Sequence, residues 1–341
     1  MLATAVAELR EAHIRRRDFI SVLGGLAAVW PVAARAQQKE RVYRIGYLSA
    51  PSRESVQRTL DAFLRKLREL GWVEGANLTI EYRWADGDIA RLPELAAELV
   101  QQNVDLIVAP NTAAAVAAKN ATSNIPVVMV FPSEPVELKL VSSLRRPGGN
   151  VTGTTFTAAP GFYGKLLETL KQAVPAVSKV GILGSSADPA SVYHTGDLQA
   201  AATTLGIQLQ WFDVSGPDQL NQTFAALASK PVDALLISSS GPLMPHRNKL
   251  AELAIKARLP MIALIREFAE AGTLLTYGVN LSEFVGRSAI YVDKILKGAQ
   301  PADLAVEQPT KYELVINLHT AKALGITISP AVLARADEVI E

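Results

Sequence analysis

The stretch YRIGYLS, residues Tyr43–Ser49, is a short apolar run ending in a small polar residue, and SKVGILGSS, Ser178–Ser186, has the same form. Continuous apolar runs of this length are what a strand buried on both faces of a parallel sheet requires. Each run leads into a helix. The first spans Ser55 to Leu70, with Val56, Leu60, Phe63, Leu67 and Leu70 along one face and Gly71 as a C-terminal stop; the second spans Val192 to Leu205 and is stopped by Gly206.

Outward from these two starts the chain keeps the same order twice. Second strands are expected in NLTIEYRWA and IQLQWFDV, followed by helices over Leu92–Gln102 and Gln219–Ser229. VDLIVAP and VDALLISSS supply third strands, and after one more helix each half gives a fourth strand opening on proline, IPVVMVF and LPMIALI. The matching anchors stay in step: Gly46 to Gly181 and Gly71 to Gly206 are each 135 residues apart, Asp105 to Asp233 is 128, and Pro126 to Pro260 is 134. Fixed offsets of this kind mark an internal duplication. A shared strand-helix rhythm of two unrelated halves gives the same architecture, an α/β protein of two doubly wound parallel-sheet lobes joined by a hinge around a central cleft.

TLLTYGV then reads as a further strand, and Leu281–Lys297 as an amphipathic helix carrying Phe284, Val285, Ala289, Val292 and Leu296. Neither half needs this helix, so its simplest use is to cross back onto the first lobe. The tail has a strand-like YELVINL and a helix expected over Pro330–Ile340. The organisation that follows is a leader at 1–36, a first lobe of 41–153 with 278–305, and a second lobe of 154–277 with 306–341.

The leader RRRDFISVLGGLAAVW, Arg15–Trp30, places three arginines before an almost uncharged apolar run, and Ala34-Arg35-Ala36 offers the small-x-small pattern of a signal-peptidase site. Cleavage is expected near Ala36/Gln37, giving a periplasmic protein. The run is shorter than the ~20 residues that span a bilayer, and Pro31 breaks its helix. Arg16-Arg17-Asp18-Phe19-Ile20 fits a twin-arginine signal, and an ordinary Sec signal fits as well. Met1–Ile14 reads as an upstream-start extension. The chain has no cysteine, which removes a disulfide framework, a thiol nucleophile and a lipid-modified anchor. A net charge of +1 gives no basic face for nucleic acid.

In open α/β sheets ligands collect beyond the carboxyl ends of the strands. The first lobe offers Ser49 after its first strand, Asn111 and Thr112 after the third, and Ser133 with Glu134 after the fourth. The second offers Ser185 and Ser186, the run Ser238–Ser240 with Ser239 at its centre, and Arg266 with Glu267. Small hydroxyl and amide groups at these junctions either cap helices or hydrogen-bond a ligand. Arg266 either clamps a carboxylate or pairs with Glu267 or Glu270. Phe156 and Tyr277 lie near the lobe crossings, where a ring stacks on a ligand or packs in the core.

Catalytic patterns are missing. His194, His246 and His319 lack metal-ligand spacing and read as surface residues. PGFYGKL fails as a phosphate loop at Ala159 and Leu166, and neither a GxGxxG turn nor a GxSxG elbow occurs. No enzyme activity, cofactor or metal is expected.

The leader RRRDFISVLGGLAAVWPVAARAQQ, the crossing RRPGGNVTGTTF (Arg145–Phe156), the segment YVDKILKGAQPADLAVEQPTKYELVINLHTAKALGITI (Tyr291–Ile328) and the ending RADEVIE together resemble the ABC-transporter substrate-binding family of the type I periplasmic-binding-protein fold, which includes tryptophan and tyrosine binders. The resemblance implies capture of a small solute, an amino acid or other small carboxylate with aromatic ones included, and delivery to an ABC permease and ATPase by a monomer that meets the membrane only through the permease. Carried over by position, Ser49, Asn111, Thr112, Ser133, Phe156, Ser239 and Tyr277 become pocket candidates. Two departures fall at the ligand end: Ser133-Glu134-Pro135-Val136 stands where relatives usually read Gly-Asp-Pro-Val, and Pro110-Asn111-Thr112 replaces a glycine-threonine-proline type. The alternative of another class is a periplasmic sensing subunit for a receptor kinase.

Overall fold

Strand β1 (Tyr43–Ser49) is buried from Ile45 onward, and the seven residues of β2 (Leu78–Trp84) pair with it in parallel register, Tyr43 opposite Leu78 and Ser49 opposite Trp84. The computed structural model describes residues 41–156, 161–186, 188–189, 191–214, 217–238 and 243–341, so the expected leader lies outside the described residues. All elements below belong to the unit Tyr43–Glu341.

The remaining strands are β3 (Leu106–Ala109), β4 (Val127–Met129), β5 (Val151–Gly153), β6 (Lys179–Gly184), β7 (Gln208–Asp213), β8 (Ala234–Ile237), β9 (Met261–Ile265), β10 (Leu275–Val279), β11 (Glu313–Asn317) and β12 (Glu338–Ile340). The helices are α1 (Gln57–Glu69), α2 (Leu92–Gln101), α3 (Thr112–Ala121), α4 (Phe162–Ala173), α5 (Ser191–Leu205), α6 (Pro217–Ser229), α7 (Arg247–Lys256), α8 (Arg266–Glu270), α9 (Leu281–Leu296), α10 (Leu318–Leu324) and α11 (Pro330–Leu333). One sheet has the order β2-β1-β3-β4-β5; the other contains β7-β6-β8-β9-β10, the same order, extended by β11 and β12. All pairs are parallel except β10 with β11.

The repeated anchors do the same physical work in both sheets. Asp105 accepts the N–H of Arg44 at 2.8 Å and returns its own N–H to the Arg44 carbonyl, while Asp233 accepts from Lys179 at 2.8 Å and returns its N–H to the Lys179 carbonyl. Ile107 donates to Pro126 O at 2.8 Å, and Leu235 to Pro260 O at 2.9 Å. Gly46 and Gly181 leave room for side chains crossing the sheet: an added Cβ would meet Leu99 in one case and Leu235 in the other, each at 2.9 Å.

Helix α9 follows β10 of the second sheet but packs against α1 of the first, and Val285, Ala289, Val292 and Ile295 share a core with Ile45, Tyr47, Leu60, Phe63 and Leu67. Each of the larger buried side chains among these contributes ~2 kcal/mol through area removed from water. The chain therefore passes between the sheets after β5, after β10 and before β11. The first and last passages run side by side: Thr154 bridges Glu307, Thr155 N–H donates to Glu307 O at 2.9 Å, and Glu307 N–H to Gly153 O at 3.0 Å. The glycines at the outgoing strands are tight. A Cβ on Gly153 would lie 2.1 Å from Met129 O, and one on Gly278 would lie 1.5 Å from Leu264 O.

One expectation is corrected. The helix expected over Pro330–Ile340 is one turn, α11, after which the chain extends as β12 beside β11. Asp337 decides this, since its carboxylate accepts Leu314 N–H at 2.9 Å and its own N–H donates to Leu314 O. The crossing RRPGGNVTGTTF also contains a short strand, β5, that pairs with β4. Among the described residues no helix is long and apolar enough to cross a membrane.

Candidate functional site

The carboxyl ends of both sheets border one cavity of ≈ 120 Å³. From the first sheet come the loop after β1, the start of α3, and the loop after β4. Asn111 caps α3, its Oδ1 accepting Ala114 N–H at 2.9 Å, and its Nδ2 is buried with no hydrogen-bond partner. Thr112 Oγ1 accepts Ser133 N–H at 3.2 Å, tying the β3 loop to the β4 loop. That second loop is strained, with Phe131 at φ +62° and Glu134 at φ +49°, a region costly for residues other than glycine. The crossing strand holds it in place: Phe156 N–H donates to Pro132 O at 2.9 Å and Thr155 Oγ1 to the same oxygen at 2.7 Å. The rings of Phe131 and Phe156 then meet at 4.8 Å and both line the cavity.

From the second sheet come Tyr163 on α4, Asp188 in the loop after β6, His194 on α5, and Ser238 at the end of β8. Tyr163 and His194 stack at 4.2 Å and 24°. His194 is 3% exposed, so the expectation of a surface histidine is wrong; burial pushes it down to about 4 and keeps the imidazole neutral at pH 7. Its Nε2 lies 4.0 Å from Glu134 Oε1 of the facing loop. Burial, with Glu137 and Asp197 nearby, pushes Glu134 up to about 7. Burial also holds the Tyr163 phenol well above its ordinary value, helped by Glu134, Asp188 and Asp197.

Of the residues expected from sequence, Asn111, Thr112, Ser133 and Phe156 line this cavity. The others go elsewhere. Ser49 is fully buried and its Oγ donates to Pro51 O at 3.2 Å. Ser186 binds the Asp213 carboxylate through N–H and Oγ at 2.8 and 2.7 Å, tying β6 to β7, and the buried Ser185 beside it is not in the lining. Glu134 sits behind Ser133 rather than in the lining. Tyr277 stacks between Phe162 and Tyr312 at 5.8 and 6.0 Å, so it packs the core. Arg266 does not reach the cavity: its Nε bonds Glu270 at 3.0 Å and its fork grips Glu338 of β12. Ser239 lies outside the described residues.

The described lining contains Asp188 but no lysine or arginine. Asp188, His194 and Ser238 do not make a nucleophilic triad, because Ser238 Oγ donates to Leu183 O at 3.3 Å and neither imidazole nitrogen has a hydrogen-bond partner. Among the described residues no group of three His, Cys, Asp or Glu side chains could hold a metal ion. The arrangement suits retention of a small, largely apolar molecule with a few polar ends.

The family model for ABC transporter substrate binding proteins matches residues 45–340. A tyrosine-binding protein of Clostridioides difficile (strain R20291) is 27% identical over 282 residues, covering 83% of this chain and 81% of that protein. Among solved structures, a conserved domain protein from Vibrio cholerae O1 biovar El Tor str. N16961 superposes with TM-score 0.82 at 28% identity, over 88% of this chain and 100% of that one. The ABC domain in complex with L-Trp from Streptococcus pneumonia gives TM-score 0.80 at 27% identity, over 87% and 99%. The two-lobed, doubly wound α/β reading is borne out by these likenesses and by the paired sheet orders.

Proposed function

The chain belongs to the ABC transporter substrate-binding protein family, and from that premise we propose that it is the periplasmic solute receptor of an ABC importer. It captures an amino acid or other small carboxylate, aromatic ones included, between its lobes and hands it to a membrane permease driven by an ATPase. The observation that carries this reading is a single cavity walled from both sheets, with Asn111, Thr112 and Ser133 on one side and Tyr163, Asp188 and His194 on the other. A ligand touching both walls favours the closed arrangement over the open one, and only such differential contact can drive closure.

The chemistry of the walls supports the ligand class. Ala114 N–H at the start of α3 is already taken by the Asn111 cap, but Asn111 Nδ2 is a buried donor without an acceptor beside the first N–H groups of the helix, so a carboxylate finds donors there. Phe131 and Phe156 offer ring faces to an apolar or aromatic body. Asp188 supplies an acceptor on the opposite wall for an ammonium or hydroxyl. The tyrosine-binding and L-Trp-complexed relatives support the same class. Export rests on the leader, whose arginine cluster, apolar run and Ala34-Arg35-Ala36 fit a removable signal.

Thermal shift and calorimetry with the twenty amino acids and the deaminated aromatic acids test the reading. A ligand present at a hundredfold excess over its dissociation constant adds ~2.7 kcal/mol of stability, so a micromolar binder at millimolar concentration gives a clear shift. No shift with any member of the panel refutes it. Cell fractionation checks location: the expected product is periplasmic and begins near Gln37, and an uncleaved cytosolic chain refutes export.

A further inference from the structure

Beside the cavity a second groove runs between the lobes, lined by the start of α1 on one side and by α7 and α8 on the other. Val56, Met244 and Leu281 line both spaces and form the apolar partition between them. Across this groove Arg58 of α1 reaches Glu270 of α8 through both arms of its guanidinium, Nη1 to Oε2 at 2.7 Å and Nη2 to Oε1 at 3.0 Å. Arg58 Nη2 also lies 3.8 Å from Glu267, one turn earlier on α8. Glu267 is buried, which raises its carboxyl above the ordinary value, and its Oε2 has no hydrogen-bond partner.

We propose that Arg58 is a positioning residue that holds the two lobes together through Glu270, and so sets how much of the protein stands in the ligand-clamping arrangement before a ligand arrives. The use made of this grip rests on the solute-binding reading; the grip itself does not.

Two features separate this contact from an ordinary surface pair. The two-point fork requires one relative orientation, so a shift of a few ångströms between lobes breaks both bonds at once. Release also strands neither partner. Glu270 keeps Arg266, whose Nε is 3.0 Å away, and Arg266 stays anchored to Glu338; Arg58, already 55% exposed, returns to water. Glu267 regains solvent when the groove widens. A contact satisfied in both states is suited to repeated opening, whereas a fully buried pair would penalise it.

Because apparent affinity scales with the fraction of protein already competent to bind, loss of Arg58 should weaken every ligand by the same factor. A residue touching ligand would instead alter some ligands more than others. With Arg58 half-exposed the expected change in the closed-to-open ratio is about two- to fivefold.

The absence of cysteine from the chain makes the measurement clean. Gln101→Cys on α2 and Lys256→Cys on α7, both exposed, accept spin labels on opposite lobes, and pulsed dipolar spectroscopy then reads the interlobe distance without any ligand. Arg58→Ala should move about two- to fivefold of the ratio from the shorter to the longer distance. Glu270→Ala should match it, the double variant should add nothing to the larger single effect, and 1 M NaCl should open the wild type but leave Arg58→Ala unmoved. Circular dichroism confirms that the variants fold. Identical distance distributions for Arg58→Ala and wild type overturn the proposal even where solutes bind, and a panel of solutes that all fail to bind leaves this measurement standing.

Discussion

Alanine at Gly278 is the sharpest test of the way the lobes are joined. Its Cβ would lie 1.5 Å from the carbonyl oxygen of Leu264, where carbon and oxygen of neighbouring strands normally approach no closer than about 3.3 Å. The obstacle is backbone, so no rotamer change relieves it, and the relief needed, about 1.8 Å, is more than a third of the ~4.8 Å that separates paired strands. Strand β10 would have to leave β9 between Thr276 and Val279, where the register already shifts. Two or three ladder hydrogen bonds at ~1 kcal/mol each, with repacking of ~1–3 kcal/mol, put the loss at about 3–6 kcal/mol. Gly71→Ala is the control, because nothing lies within 4 Å of its would-be Cβ and only φ +92° opposes the change. That strain alone costs ~1–2 kcal/mol. Urea unfolding followed by tryptophan fluorescence gives both numbers. Equal losses for the two variants would refute the claim that close backbone approach, rather than glycine's dihedral freedom, fixes Gly278.

Other consequences can be checked alongside. The folded state holds His194 near 4 against an ordinary 6.5, so its contribution to stability falls as pH drops through that window; Glu134, near 7 against 4.5, retains a proton the unfolded chain has lost, so its contribution rises as pH drops from about 7 to 4.5. The two slopes oppose each other: in urea-midpoint profiles between pH 4 and 7.5, His194→Phe should tilt stability toward acid and Glu134→Gln away from it, and parallel profiles would contradict this. Arg266→Ala should leave ligand affinity within about twofold of wild type while costing ~1 kcal/mol, with faster hydrogen exchange in Glu338–Ile340; a selective loss of acidic ligands would return Arg266 to the pocket. Asp233→Ala removes the acceptor of three 2.8 Å bonds from Ser178 and Lys179. It should lower the urea-derived stability by ~1–3 kcal/mol, and no loss would mean that water replaces the carboxylate without penalty.

The parts of the fold legible in sequence are those whose causes are local. Gly71 and Gly206 and the opening prolines Pro126 and Pro260 mark helix and strand limits by their own backbone chemistry, and the two sheets are ordered as the repeat requires. What escapes notice depends on partners far along the chain. PAVLARADEVIE has helical spacing, yet Asp337 meets Leu314 and pulls the end into the sheet. Arg266 follows an apolar strand as a ligand-clamping arginine would, but its carboxylate partner Glu338 is 72 residues on. His194 sits among polar neighbours on its own helix and is covered by partners from elsewhere in the chain, Tyr163 of another helix stacked on it and Glu134 of the facing loop beside it. At Asn111 the local signal is enough, since a strand end followed by a helix start fixes its direction, whereas Ser133 is held by its N–H bond to Thr112 in a loop that no helix follows.

The passage of α9 back to the first sheet has a consequence for how the polypeptide matures. As the chain leaves the ribosome, the face of Tyr47, Phe63, Leu106 and Val128 stays uncovered until Val285, Val292 and Ile295 have been made. The second sheet in turn lacks its outermost strand until Ile340 emerges. Both lobes are therefore completed by contacts of long sequence separation, which form late and slowly. Until those residues emerge, the newborn chain carries an apolar face open to water and to other chains.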